Sequence, residues 1–290
     1  MDKPYLLWPS LAGAISLLAG LVLARRSWSA ARGLEKLIAL GPVFVAAPLA
    51  AFGAEHMVLA SFISQMVPDW IPARLFWAYF VGLALFAAAL SLVLRKSVRL
   101  SATLLGVMFV LFVVLMHVPN TAAQPEDRFM WAVALRDLAF GGGAFALAAT
   151  QADPARARGT GGLLTAGRLM VALPLLFFAI EHVLHPEFAP GVPLKKMTPA
   201  WFPVPALWGY VTGAALLAAA GAILVNFRAR TAATWLGLLC LLLTVLLYAP
   251  IWATAVQSSE MIEGLNYVAD TLMFGGTVLL LAGALRDSAR

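Results

Sequence analysis

Apolar positions in this chain follow neither the two-residue rhythm of a half-buried strand nor the 3.6-residue rhythm of a surface helix. They run on for about 20 residues at a time, the length of a bilayer-spanning helix, and short clusters of charge, proline or glycine interrupt them. The runs predict spans at Leu6–Leu23, Leu37–Val58, Leu75–Leu94, Leu100–Val118 and Phe129–Ala149. Four more follow at Leu163–Leu184, Pro205–Val225, Thr231–Ala249 and Leu265–Leu285. Lipid offers no hydrogen-bond partner to an exposed backbone, so each run must be helical. The pattern predicts an all-α polytopic membrane protein with about nine transmembrane helices.

Composition agrees. Of 290 residues, 62% are hydrophobic and 12% charged, about half the charge a water-soluble surface carries. That excludes disorder, coiled coil and soluble DNA-binding domains. The net charge of +6 is a topology signal, not a nucleic-acid footprint. With the N-terminus outside, 14 of the 20 basic residues fall on inner segments, among them Arg25, Arg26, Arg95, Lys96, Arg99, Arg228 and Arg230. Eleven of the 14 acidic residues fall outside. The orientation expected is N-out and C-in. Asp2 before the first run and Arg25-Arg26 after it reverse the charge order of a secretory signal, so that run is expected to stay as a helix. A single cysteine, Cys240, rules out an intramolecular disulfide and two-cysteine redox chemistry.

The chain repeats itself. Gly41, Pro48, Leu49, Phe52, Glu55 and His56 return 126 residues later as Gly167, Pro174, Leu175, Phe178, Glu181 and His182. After a five-residue insertion, Trp70, Pro72, Trp77, Tyr79 and Gly82 return as Trp201, Pro203, Trp208, Tyr210 and Gly213. Arg99, Ala102, Thr103, Gly106 and Pro119 become Arg230, Ala233, Thr234, Gly237 and Pro250, and Phe140-Gly141-Gly142 becomes Phe274-Gly275-Gly276. Four spans per copy is an even number, so the copies point the same way and a pseudo-two-fold axis along the membrane normal should relate them. The expected organisation is an N-terminal helix and basic loop (1–36), a first four-helix repeat (37–150), a linker (151–162) and a second four-helix repeat (163–290). The two units are expected to pack side by side, with the first helix at the periphery.

At Trp70-Ile71-Pro72, Phe76-Trp77-Ala78-Tyr79 and Gly82, at their second-half counterparts, and at Arg99 through Gly106 to His117-Val118-Pro119, the chain resembles the DoxX-like family. The resemblance implies a tandem fusion of a small four-helix membrane unit in the inner membrane of a bacterium. It also implies association with redox chemistry, since one family member is a subunit of thiosulfate:quinone oxidoreductase.

Candidate chemistry gathers on the outer side, where all four histidines lie. Glu55-His56 and Glu181-His182 sit at matching depth at helix ends, and His117 has Tyr248 as its counterpart. Ionisable groups at membrane depth are costly and face a bundle interior or cavity. The pairs therefore read as packing groups, as the lining of a pocket for a quinone headgroup, or as ligands of a metal or haem. The metal set would be Glu181, His182 and His185 on one helical turn, and haem would use His56 with His182. The second half is favoured as the retained site because three such groups concentrate there. Arg136-Asp137 reads mainly as a dipole complement at a helix start, with Asp270 in the corresponding helix and an anionic ligand as the alternative. The aromatic clusters read as an interface belt, and Gly141-Gly142-Gly143 as a close helix contact.

Three functions compete on these observations. The first is a quinone-linked redox component acting with partner membrane or redox proteins. The second is a non-enzymatic accessory subunit of a larger membrane complex. The third, a small-molecule transporter, has little polar chemistry at the helix centres to support it.

Overall fold

The computed structural model describes residues 7–151, 160–191 and 196–287. Among them nine helices are long and apolar enough to cross a membrane. They are α1 (Trp8–Ala30), α2 (Glu35–Val58), α3 (Arg74–Leu94), α4 (Val98–Ala123), α5 (Arg128–Thr150), α6 (Gly161–Leu184), α7 (Pro205–Leu224), α8 (Ala229–Ala253) and α9 (Ser259–Ala284). The chain is an all-α, multi-pass membrane protein. Of the expected linker, 152–159 fall outside the described residues, and α6 already begins within its last part. Lys3 and Lys195 also fall outside them.

Several helices run past their apolar cores. α1 continues through Arg25-Arg26 to Ala30, because no breaker intervenes before Gly33 and long basic side chains can reach back toward water. α9 begins more than a turn before Leu265, where Gln257 and Glu260 form a capping box. Asp127 caps α5 by accepting from the backbone N–H groups of Phe129 and Met130. α4 does not end at Val118 but passes Pro119. Proline lacks an N–H and its ring clashes with the carbonyl four residues back, which ordinarily kinks a helix. Here the strain is absorbed by a π-turn over Val113–His117, in which the Val118 N–H reaches back to the Val113 carbonyl. α8 makes the same turn over Thr244–Tyr248 before Pro250.

Helix packing follows the same doubling. α2 packs on α3 as α6 packs on α7, and α4 on α5 as α8 on α9. The six non-glycine residues with positive φ among the described residues fall into three pairs 131 apart: Ala73 with Val204, Arg95 with Asn226, and Ser97 with Arg228. The two four-helix sets do not close on themselves, however. The first helix of each set closes onto the last helix of the other, α2 on α9 and α6 on α5. Glycine allows the approach: a Cβ on Gly142 would lie 2.7 Å from the Gly167 carbonyl, and one on Gly276 would lie 2.8 Å from Val45.

α5 and α9 meet in the middle through equal positions. Arg136 faces Asp270, Phe140 faces Phe274 with ring centres 6.3 Å apart, and a Cβ on Gly143 would strike Thr277. Each pair is separated by 134 residues, so this seam is a self-complementary contact of the kind that lies on a two-fold axis.

α1 has no counterpart among the described residues. It lies on α2 and α3, where Gly13 and Gly20 sit against Ala51 and Val43. The positions of α6 that match Val43, Ala47 and Ala51 are Leu169, Leu173 and Phe177. Those larger side chains leave no groove for a helix, and Leu169 and Leu173 are exposed.

Candidate functional site

α2, α4 and α6 all end in a histidine region at one end of the bundle, which the next turns bring close to the α5–α9 seam. His56 and His182 are held identically. Each points its Nδ1 at the carbonyl four residues back, Phe52 at 2.8 Å and Phe178 at 2.6 Å. A carbonyl only accepts, so Nδ1 carries the proton in both rings and Nε2 is left as an acceptor.

In the second half that acceptor is used. Gly191 donates its N–H to His182 Nε2 at 2.8 Å. Tyr248 donates its hydroxyl to the Pro190 carbonyl at 2.9 Å, with Ala189 O at 3.3 Å. The segment Ala189–Gly191 thus plugs the mouth, and His182 and Tyr248 are about fully buried at 1% and 0% exposure. The plug is braced by a bridge between Phe188 and Met197 and by the Arg128 guanidinium stacked 4.6 Å over Phe188. Glu181 accepts from Arg128 Nε at 2.6 Å, tying α6 to α5.

The metal arrangement expected in this half is therefore not assembled. α6 ends at Leu184, and although the His185 N–H still reaches the Glu181 carbonyl at 2.8 Å, the His185 ring turns its Nδ1 to Glu187 at 3.3 Å. Both nitrogens of His182 are spent. Among the described residues no group of three or more His, Cys, Asp or Glu side chains converges as a metal site. The haem pairing of His56 with His182 is not set up either, because the His182 Nε2 that would bind iron is taken by the Gly191 N–H. The half favoured from sequence is the plugged one.

The first half is built from the same parts without the plug. Its loop is five residues shorter and turns into the short helix Ala60–Ile63, which packs on α3. His56 stays partly exposed. His117, in the place of Tyr248, meets Asp137 Oδ2 through Nε2 at 3.0 Å. Arg136 then bridges Asp137 at 3.4 Å and Asp270 at 2.5 Å. Glu55 accepts from Asn266 Nδ2 at 3.2 Å and lies within electrostatic reach of Asp270. The expectation that Arg136-Asp137 marks a helix start is corrected. The pair lies two turns inside α5, roughly 12 Å along the axis from Arg128, and Arg136 spans the seam to its own repeat position.

Asp137 and Asp270 thus share the Arg136 guanidinium, Asp137 also meets the His117 imidazole, and the Glu55 carboxyl lies within electrostatic reach of Asp270. Burying an unpaired charge costs several kcal/mol. With every carboxyl ionised the group would carry net negative charge even if His117 were protonated. The cluster can balance itself by holding an exchangeable proton, and that is the chemistry it offers.

Asn266 and Arg128 escaped the sequence reading, although a lone asparagine in an apolar span is itself a signal. Tyr248 was seen only as the counterpart of His117, and nothing in its spacing announced the plug.

A family model for a domain of unknown function (DUF8561) matches residues 45–139, which run from α2 through the Arg136-Asp137 pair in α5. No curated protein and no solved structure matches the chain.

Proposed function

We propose that this chain is a fused tandem pair of DoxX-like four-helix units in a bacterial inner membrane, N-terminus outside. In this reading it serves as a quinone-linked component that works with a partner redox protein. The ligand site is the outer mouth of the first half, lined by His56, His117 and Asp137, with Arg136, Asp270 and Glu55 behind them. The observation that carries the reading is the excess of carboxyl groups over cations at membrane depth. Such a cluster is suited to exchanging protons with a bound headgroup. Interconverting quinone and quinol moves two electrons and two protons; the electrons would pass to or from the partner, the protons through His117 and Asp137. The mouth lies beside lipid-facing α3 and α4, so a lipid-soluble ligand needs no deep cavity to enter.

The test is binding of a short-chain ubiquinone and its quinol to protein in nanodiscs, followed by tryptophan quenching. Asp137→Asn and His117→Ala should each weaken binding about tenfold or more, and Tyr248→Phe in the plugged half should leave it unchanged. If neither redox form binds, the cluster serves packing and the accessory-subunit reading replaces this one.

A further inference from the structure

The plugged half shows what the open half is shaped to receive. In the second half one tripeptide is clasped from two sides: His182 Nε2 accepts its Gly191 N–H, while the Tyr248 hydroxyl donates to its Pro190 carbonyl. His56 and His117 occupy the matching positions in the first half, so the repeat places them on either side of the corresponding mouth, on α2 and α4. His56 has its ring fixed by the same bond to Phe52, and its Nε2 therefore presents a lone pair to that mouth. Among the described residues no backbone N–H meets it, because the chain there is five residues shorter and folds toward α3.

We infer that the mouth of the first half selects a ligand whose headgroup donates a hydrogen bond, and that under the function proposed above it binds the quinol form in preference to the quinone. A quinol hydroxyl placed like the Gly191 N–H donates to His56 Nε2. A quinone carbonyl in the same position sets lone pair against lone pair. Turning the ring to the other tautomer gives up the bond to Phe52 and leaves that carbonyl without its partner. Sites built around one direction of hydrogen bonding discriminate strongly against analogues that lack it. Behind the headgroup, the Asp137 carboxylate paired with His117 is a second acceptor, so the surroundings favour a donor twice over.

The experiment uses the full-length protein in nanodiscs, under argon, titrated separately with a short-chain ubiquinol and with the matching ubiquinone. The expected result is affinity for the quinol at least about tenfold higher. His56→Gln, whose amide both donates and accepts, should bring the two affinities to within about threefold of each other while the melting temperature shows that the fold is kept. Equal affinities in the wild type, or preference for the quinone, overturn the inference and leave the quinone-linked function standing. A quinol preference that survives in His56→Gln overturns the assignment to His56, as would a misfolded His56→Gln whose His56→Asn replacement folds and still discriminates. Binding of neither form removes the proposed function and this inference together.

Discussion

At the scale of single residues, the pairing of Arg136 with Asp270 is the feature most dependent on the doubled architecture. Equal positions meet on the axis, and two identical units would set like charge against like at this depth. One chain carrying both copies can put arginine on one side and aspartate on the other. Asp270→Asn should destabilise the protein by about 1–3 kcal/mol, less than loss of an isolated buried pair because Asp137 still faces the guanidinium. The exchanged variant Arg136→Asp with Asp270→Arg should recover part of that loss, which a double-mutant cycle on detergent melting temperatures will measure. His182 makes the opposite case. Its replacement by alanine strands the Gly191 N–H, so stability should fall by about 1–3 kcal/mol while ligand affinity stays at the wild-type value. A drop in affinity without a change in melting temperature would mean that the second half still carries a site. In the sequence His182 and His56 are repeat equivalents, each preceded by a glutamate. What separates them is a loop whose backbone supplies the hydrogen bond, and no residue type encodes that.

Among the elements, the plug is the one with its own reporter. Cys240 lies beneath it, buried, in a crevice that Gly191, Phe178 and Thr212 also line. Gly191 has φ +133, a backbone conformation side chains rarely adopt, and a Cβ there would come within 3.2 Å of the Tyr248 hydroxyl. Gly191→Ala should loosen the plug and raise the rate at which a small maleimide labels Cys240 by about tenfold, read by mass spectrometry; an unchanged rate would show that the plug is held elsewhere. α1 allows a second test at this scale. Ala51→Leu fills the groove that receives Gly13, so α1 should come away from α2 and become accessible to protease at Gly33, with α2–α9 still folded. The span pattern made the nine membrane-length helices among the described residues legible, since each is a mostly apolar run of about 20 residues or more. It misjudged several ends because caps such as Gln257–Glu260 and the π-turns before Pro119 and Pro250 act beyond the apolar window.

For the whole molecule, the distribution of basic residues predicts which end faces the cytoplasm. In a Cys240→Ser background, a membrane-impermeant maleimide applied to intact spheroplasts should label Val256→Cys, at the histidine end, and spare Ser97→Cys at the arginine-rich end. The reverse result would invert the topology. The constant offsets of the sequence return in the structure as positive-φ positions 131 residues apart. Which helices touch across the copies was not legible, because apolar faces carry no address; the choice falls to small residues such as Gly41, Gly142, Gly167 and Gly276 that set where two backbones can approach.

That exchange of partners has a consequence for how the protein is made. Spans enter the membrane in the order of translation, and α2 leaves the ribosome long before α9, the helix that covers its flank. The first half therefore waits, unfinished, until α9 has been made. A chain stopped before α9 would leave the flanks of α2 and α8 uncovered at once.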